Sequence, residues 1–404
     1  MIAHLLNRVC LIPVESETPS RSLSEDLCQV RHRRFTQIWA VFGIVLFAVT
    51  WPLWTGQTFV PQIPFLETLV AVPGWLDVLL FWLMFASLLT SVFCFGYQGW
   101  LMAVFFLVTM ISVLLDQNRL QPWVYQFLLL SILFTGSNRT NQVKWMRWFT
   151  ISIYIYSAIS KFDYQFVFTV GQSMWDGIFK TPPAENWEWV TLIFPAYELT
   201  AAILLLWSPT RKFGLILALL MHTGLLIALG PFGLNQSLGV LIWNLFFMVQ
   251  TIYLFGICSD LKNMDVRLSF RDWIGQSAIV VAILFPMTQP LGIADHWPSW
   301  EVYAPRTSRS KFFADFRTES AENPFAEESL KKLGVPLYPQ ARYQFAIQAA
   351  LAKREKAFSG TLLIQSESDR WNGERESSRI REDQIEMFRD RFWLNTKPRH
   401  TWLK

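Results

Sequence analysis

Residues 148–174 read WFTISIYIYSAISKFDYQFVFTVGQSM, and the class of the whole chain turns on them. The first half is apolar enough for a membrane helix. Lys161 then arrives with apolar residues on both sides. An ionisable side chain is expensive in lipid and normally faces a bundle interior or a cavity, so Lys161 is the first candidate functional residue. Outward from this stretch, similar runs cover 35–54, 76–95, 99–115, 121–136, 188–207, 213–230, 237–256 and 273–290. Most approach the ~20 residues that cross a ~30 Å hydrocarbon core. The expectation is an all-α polytopic membrane protein of nine transmembrane helices, the fifth running 148–168, with a small mixed extramembrane segment after them.

Composition agrees. Only 16% of the 404 residues are charged, against about a quarter in soluble domains, and the deficit lies in 35–290. Residues 1–34 form a polar arm without a signal-peptide core, so the first membrane helix is expected to act as an uncleaved start. Residues 291–404 read as a soluble tail, with helical patterns at 322–333 and 341–357 and a strand at 360–365. In the second helix Phe345, Ile347 and Leu351 fall near one side. Cys10, Cys28, Cys94 and Cys258 lack metal-ligand or redox spacing. The net charge of +4 forms no basic nucleic-acid signature, so membrane lipid rather than nucleic acid is the expected partner.

Charge placement predicts orientation. Arg31, Arg33 and Arg34 precede the first run; Arg139, Lys144, Arg147, then Arg211, Lys212, and then Lys262, Arg267, Arg271 fill alternate later loops, while 56–75 and 231–236 have no basic residue. The positive-inside rule then places the N-terminus in the cytoplasm of an inner-membrane protein and the tail outside. Arg119 is discordant but stands near Asp116; Asp116, Asp176 and Glu185 read as loop charges. Trp51, Trp54, Trp75, Trp100, Trp123, Trp148, Trp187, Trp189, Trp207 and Trp273 sit near run ends, as an interfacial belt requires.

Few groups capable of acid–base chemistry lie inside the runs: Lys161, Asp163, Glu198 and His222, with Asn244 adding an amide. Counting from the run ends puts Lys161, Glu198, His222 and Asn244 in one layer roughly 10–16 Å below the outer surface. Tyr154, Ser157 and Lys161 share a helix face. Desolvation there favours the neutral amine, which can act as a general base, and Glu198 with His222 would form a relay or an orienting pair. The plainer readings are a snorkelling lysine, a structural Glu198–His222 pair and an interhelical hydrogen bond at Asn244. No metal-binding, P-loop, dinucleotide or nucleophile-triad pattern stands beside them. The glycines at 171, 214, 224, 230, 233 and 239 read as packing or turn positions.

SAISKFDYQFVFTVGQSM (157–174) and YELTAAILLLWSPTRKFGLILALLMH (197–222) resemble the vitamin K-dependent gamma-glutamyl carboxylase superfamily, whose bacterial members include the horizontally transferred transmembrane domain proteins. The matching features are Ala–x–x–Lys–apolar–Asp, Gly–x–Ser–Met, and an acidic residue followed by a Leu-rich helix, a turn and a helix with His, within a core of about 148–250. This resemblance implies carboxylase or epoxidase-like chemistry on a reduced quinone, with Lys161 as catalytic base and His222 supporting it. Tyr154, Ser157, Asp163, Glu198 and Asn244 would contact the lipophilic substrate. The alternative is a non-catalytic scaffold or subunit of a redox or export complex. A transporter is disfavoured, since no inverted repeat is apparent.

Overall fold

The structure, a computed structural model, describes residues 23–231, 233–258, 268–313, 324–355 and 361–400. Cys10, most of the N-terminal arm, Lys262, Arg267 and the first residue of the expected strand lie outside them. Long helices stand where the nine apolar runs are: α1 (Leu23–Val49), α2 (Trp75–Phe93), α3 (Gln98–Leu115), α4 (Pro122–Phe134), α5 (Arg139–Ile159), α7 (Ile193–Leu206), α8 (Arg211–Leu229), α9 (Leu238–Thr251) and α10 (Phe270–Leu284). A shorter α6 (Val170–Phe179) precedes α7. Among the described residues, six helices are long and apolar enough to cross a membrane. Their outward faces expose Leu83, Leu107, Ile216, Leu220 and Val281, an apolar surface of the kind lipid covers. The protein is a polytopic all-α membrane protein.

The shortest of the nine, α4, has 13 residues and is buried on nearly every side. That is how a helix apolar all round reads when it forms a bundle's centre. Phe127 of α4 stacks on Trp39 of α1 at 5.0 Å and meets Phe246 of α9 at the same distance. A chain of hydrogen bonds crosses this core: Trp243 donates to Gln126 (2.7 Å), Gln126 to Gln250 (3.0 Å), and Gln250 to Thr150 (2.7 Å). Where no water competes, such side chains join helices directly.

Three sequence expectations are corrected. Trp54 and Trp123 are buried in the core rather than interfacial, each edge-on to Phe47; the other eight tryptophans of the belt are exposed. Arg119 and Asp116 sit in the loop before α4 but are not surface charges, being 0% and 1% exposed. The fifth helix stops at Ile159, because the Asp163 side chain accepts from the Phe166 amide and caps a new helical turn, Tyr164–Phe168.

One end of the bundle carries the basic residues. The other is capped by the C-terminal region. There α11 (Ala341–Glu355) lies on a three-stranded antiparallel sheet of β1 (Arg309–Phe313), β2 (Thr361–Gln365) and β3 (Ser377–Arg381), with Phe312 opposite Leu362 and Leu362 opposite Ile380. Phe345 and Ala349 of α11 face the sheet, while Tyr343, Ala346, Ile347 and Ala350 face the bundle. The helix is therefore buried on two sides, not the one side that Phe345, Ile347 and Leu351 suggested.

Side chains lock the cap to the bundle. Asp77, in the first turn of α2, accepts from Arg119 and from Arg399, each at 2.7 Å and all three fully buried. Gln117 donates to the Asn395 carbonyl (2.9 Å), and the Arg399 amide donates to the Gln62 carbonyl (2.9 Å). Burial pushes the nearby Asp116 carboxyl up to about 6, against the pull of Arg119 and of the Asn118 and Ile63 amides.

Candidate functional site

A cavity of about 230 Å³ lies between α5, α6, α7, α8 and α9 towards the capped end. Tyr154, Ser157, Lys161, Glu198, His222 and Asn244 all line it. The remaining lining is largely apolar and includes Ile153, Phe166, Met174, Phe194 and Phe247. Asp163 is absent from this lining; its Oδ1 caps the Tyr164–Phe168 turn at 2.8 Å from the Phe166 amide. It serves the backbone break, not the cavity wall.

The pairing within the cavity differs from expectation. Glu198 does not meet His222. The Lys161 Nζ donates to Glu198 Oε2 (2.9 Å), to Ser157 Oγ (2.5 Å) and to the Ser157 carbonyl (2.9 Å). Lys161 stands just beyond the last residue of α5, so its side chain folds back over the helix end. A cation there satisfies a terminal carbonyl and opposes the helix dipole. The ion pair also ties α5 to α7. With side-chain exposures of 8% and 13%, removing one partner would leave the other buried without its counter-charge.

His222 of α8 belongs to a second group. Asn244 Oδ1, 3.1 Å from Nδ1, can only accept, and its Nδ2 is committed to the Val240 carbonyl (2.9 Å). Nδ1 therefore donates, and in the neutral ring Nε2 accepts from the Tyr154 hydroxyl at 2.9 Å. Tyr154 also meets Thr251 Oγ1 at 3.0 Å. Both ring nitrogens are occupied, and three helices are joined through one imidazole. The Gly224 position on α8 is open: a Cβ there would meet nothing within 4 Å.

Sequence reading missed the cavity's lid. After α10 the chain turns back through 292–307, sending Trp300 into the bundle against Tyr125 (5.3 Å) and Phe149 (5.5 Å). Val302 and Tyr303 then line the cavity. Trp300 (φ 62°) and Tyr303 (φ 61°) adopt left-handed backbone, unfavourable for bulky residues, so the surrounding contacts must hold the turn. His296 supplies those contacts, bonded through Nδ1 to Glu301 (2.5 Å) and through Nε2 to Glu367 (3.2 Å); Arg306 pairs with Glu367 at 3.1 Å. HxxxxE spacing in a Pro- and Trp-rich loop was the only local signal, and Glu367 is distant in sequence.

Among known proteins, the family model of the methylamine utilisation protein MauE matches residues 139–239. That stretch runs from the start of α5 to the start of α9 and includes every cavity residue discussed except those of α9 beyond it and the lid. No curated protein and no solved structure matches the chain. The match corrects the carboxylase-superfamily resemblance, since 157–174 and 197–222, which carried it, both fall inside the region similar to MauE. The carboxylase chemistry and reduced quinone that it implied have no other support.

The lid generates a pH prediction. Burial disfavours a charged His296, but the hydrogen bonds and charges of Glu301 and Glu367 override it and raise the group to about 9. A free imidazole titrates near ~6.5, so the stabilisation is complete below pH ~6.5 and is lost as pH rises through about 9. The thermal unfolding midpoint of the detergent-solubilised protein should fall across that window. His296→Gln should start lower and show a flatter profile; identical profiles would show that the network does not hold the lid.

Proposed function

We propose that the chain is a non-catalytic membrane subunit, a scaffold within a redox or export complex of the cytoplasmic membrane. The observation that carries this reading is the engagement of the Lys161 amine with Glu198 and Ser157, which makes the ionisable residues ties between helices. His222, with both nitrogens bonded, fits the same pattern. The likeness over 139–239 supports it as well, because MauE is described by a process, methylamine utilisation, and not by a reaction.

The test is purification from native membranes in mild detergent, wild type beside Lys161→Met/Glu198→Met, which removes the pair without stranding either charge. A partner at fixed stoichiometry should accompany both proteins. A partnerless wild type would overturn the subunit reading.

The basic side chains at one end of the bundle support a cytoplasmic N-terminus and an external C-terminal region. Trp393 is fully exposed. Cysteine introduced as Trp393→Cys should react with a membrane-impermeant maleimide in intact cells; labelling only after lysis would reverse the orientation.

The cavity favours one further reading, that the subunit holds a lipophilic small molecule. Its apolar walls surround two polar groups, and Leu220 at its edge is exposed on the lipid-facing side of α8. Gly224→Leu projects a side chain into open space and should leave folding intact. Mass spectrometry of extracts from the purified proteins should find a specific lipophilic molecule in the wild type and not in this variant. Equal contents in both would remove the cavity as its site.

A further inference from the structure

The basic end of the bundle contains a second cavity, of about 150 Å³, unrelated to the first. One wall is a single face of α5: Thr140, Lys144, Arg147 with Trp148, and Ile151 recur at intervals of three and four. Leu205 and Leu206 at the end of α7 and Arg211 at the start of α8 form the opposite wall. Phe255, in the π-helical turn Ile252–Ile257 that continues α9, completes it. Among the described residues, three cationic side chains and no acidic one line this space.

Among the described residues the buried arginines and lysine are neutralised, whereas here Lys144 is exposed and Arg147 and Arg211 are half-buried. Arg119, Lys161, Arg342 and Arg399 each meet a carboxylate. Lys144 and Arg211 meet none among the described residues; Lys144 lies 6.0 Å from the ring of Trp145, and Arg211 Nε reaches only the Leu205 carbonyl at 3.4 Å. Arg147 is anchored by carbonyls, donating from Nε to Leu254 (2.9 Å) and from Nη2 to Cys258. Those bonds fix its position at the cavity, and the cations left without a carboxylate there are Lys144 and Arg211.

The surroundings decide what kind of anion fits. Ile151 and Phe255 are buried beneath the cations, and Trp148 and Trp207 stand exposed nearby, as tryptophans do at headgroup depth. A soluble anion would gain nothing from an apolar floor. A phospholipid would place its headgroup among the cations and its chains along the groove, as basic pockets between transmembrane helices do with anionic lipids. We propose that this cavity is a site for the phosphate headgroup of an anionic phospholipid in the adjoining leaflet.

The test uses the full chain reconstituted in phosphatidylcholine nanodiscs, with phosphatidylglycerol titrated in and retained lipid counted by native mass spectrometry after release. The wild type should retain phosphatidylglycerol over phosphatidylcholine. Lys144→Gln/Arg211→Gln should weaken that retention on the order of tenfold, and Lys144→Arg should keep it. Both side chains of the double variant reach solvent and make no ion pair, and its unfolding midpoint in pure phosphatidylcholine checks that it folds. Equal retention by wild type and the double variant would overturn the proposal. So would inorganic phosphate stabilising the wild type as much as phosphatidylglycerol does, which would mark a soluble-anion site.

Discussion

One carboxylate, Asp77, holds two guanidinium groups at a place no water reaches. Its position in the first turn of α2 already favours a negative charge, since the exposed amides of a helix start carry the positive end of the dipole. Arg119 brings the loop before α4 to it, and Arg399 brings the last described turn of the chain. Without that carboxylate two cations would be left desolvated and uncompensated, the costliest arrangement available to a buried ion cluster. The cap's placement over the bundle depends on it. Arg119 also explains itself: as a loop charge it contradicts the orientation that the other basic residues indicate, but as a buried tie it has no bearing on orientation.

From that anchored cap follows the geometry of the cavity. The lid turn at 300–303 keeps its unfavourable backbone only because Trp300 is wedged in the bundle on one side and His296 is bonded to Glu301 and Glu367 on the other. Glu367 immediately follows the strand β2 and a single residue, so the sheet helps to position the lid. Cap and cavity are thus one mechanical unit, joined by charge pairs at the rim and by aromatic packing beneath.

The fold was largely legible because span length and apolarity are local properties. Lys161, Glu198, His222 and Asn244 were also legible as a group, since depth can be counted along helices and polar residues are scarce there. Their partners were not. Glu198 was matched with His222 because the two depths agreed, yet depth says nothing about rotation around a helix axis, and rotation gives Glu198 to Lys161 and His222 to Tyr154 and Asn244. Asp77 and Arg399 are 322 residues apart and nothing local links them, and Gln126 and Gln250 are uncharged and so drew no notice. Trp54 and Trp123 show the converse: a position near a run's end does not decide whether an indole faces lipid or the core.

The break after Ile159 turns the meaning of Lys161 around. A lysine within an apolar run reads as a functional group inside a continuous helix, and the run itself was expected to extend to 168. A helix that ends within an apolar bundle leaves carbonyl groups with no amide to bond and no water to take its place. Here the Lys161 ammonium covers the Ser157 carbonyl from beyond the helix end, while Asp163 supplies the first acceptor for the turn that follows. Irregular backbone at such a site is tolerated where protein buries it or where it lines a cavity, and both conditions hold here. The same two residues that suggested chemistry are what allow the chain to turn, and the turn is what sends α6 outward to complete the cavity wall with Met174 and Ile178.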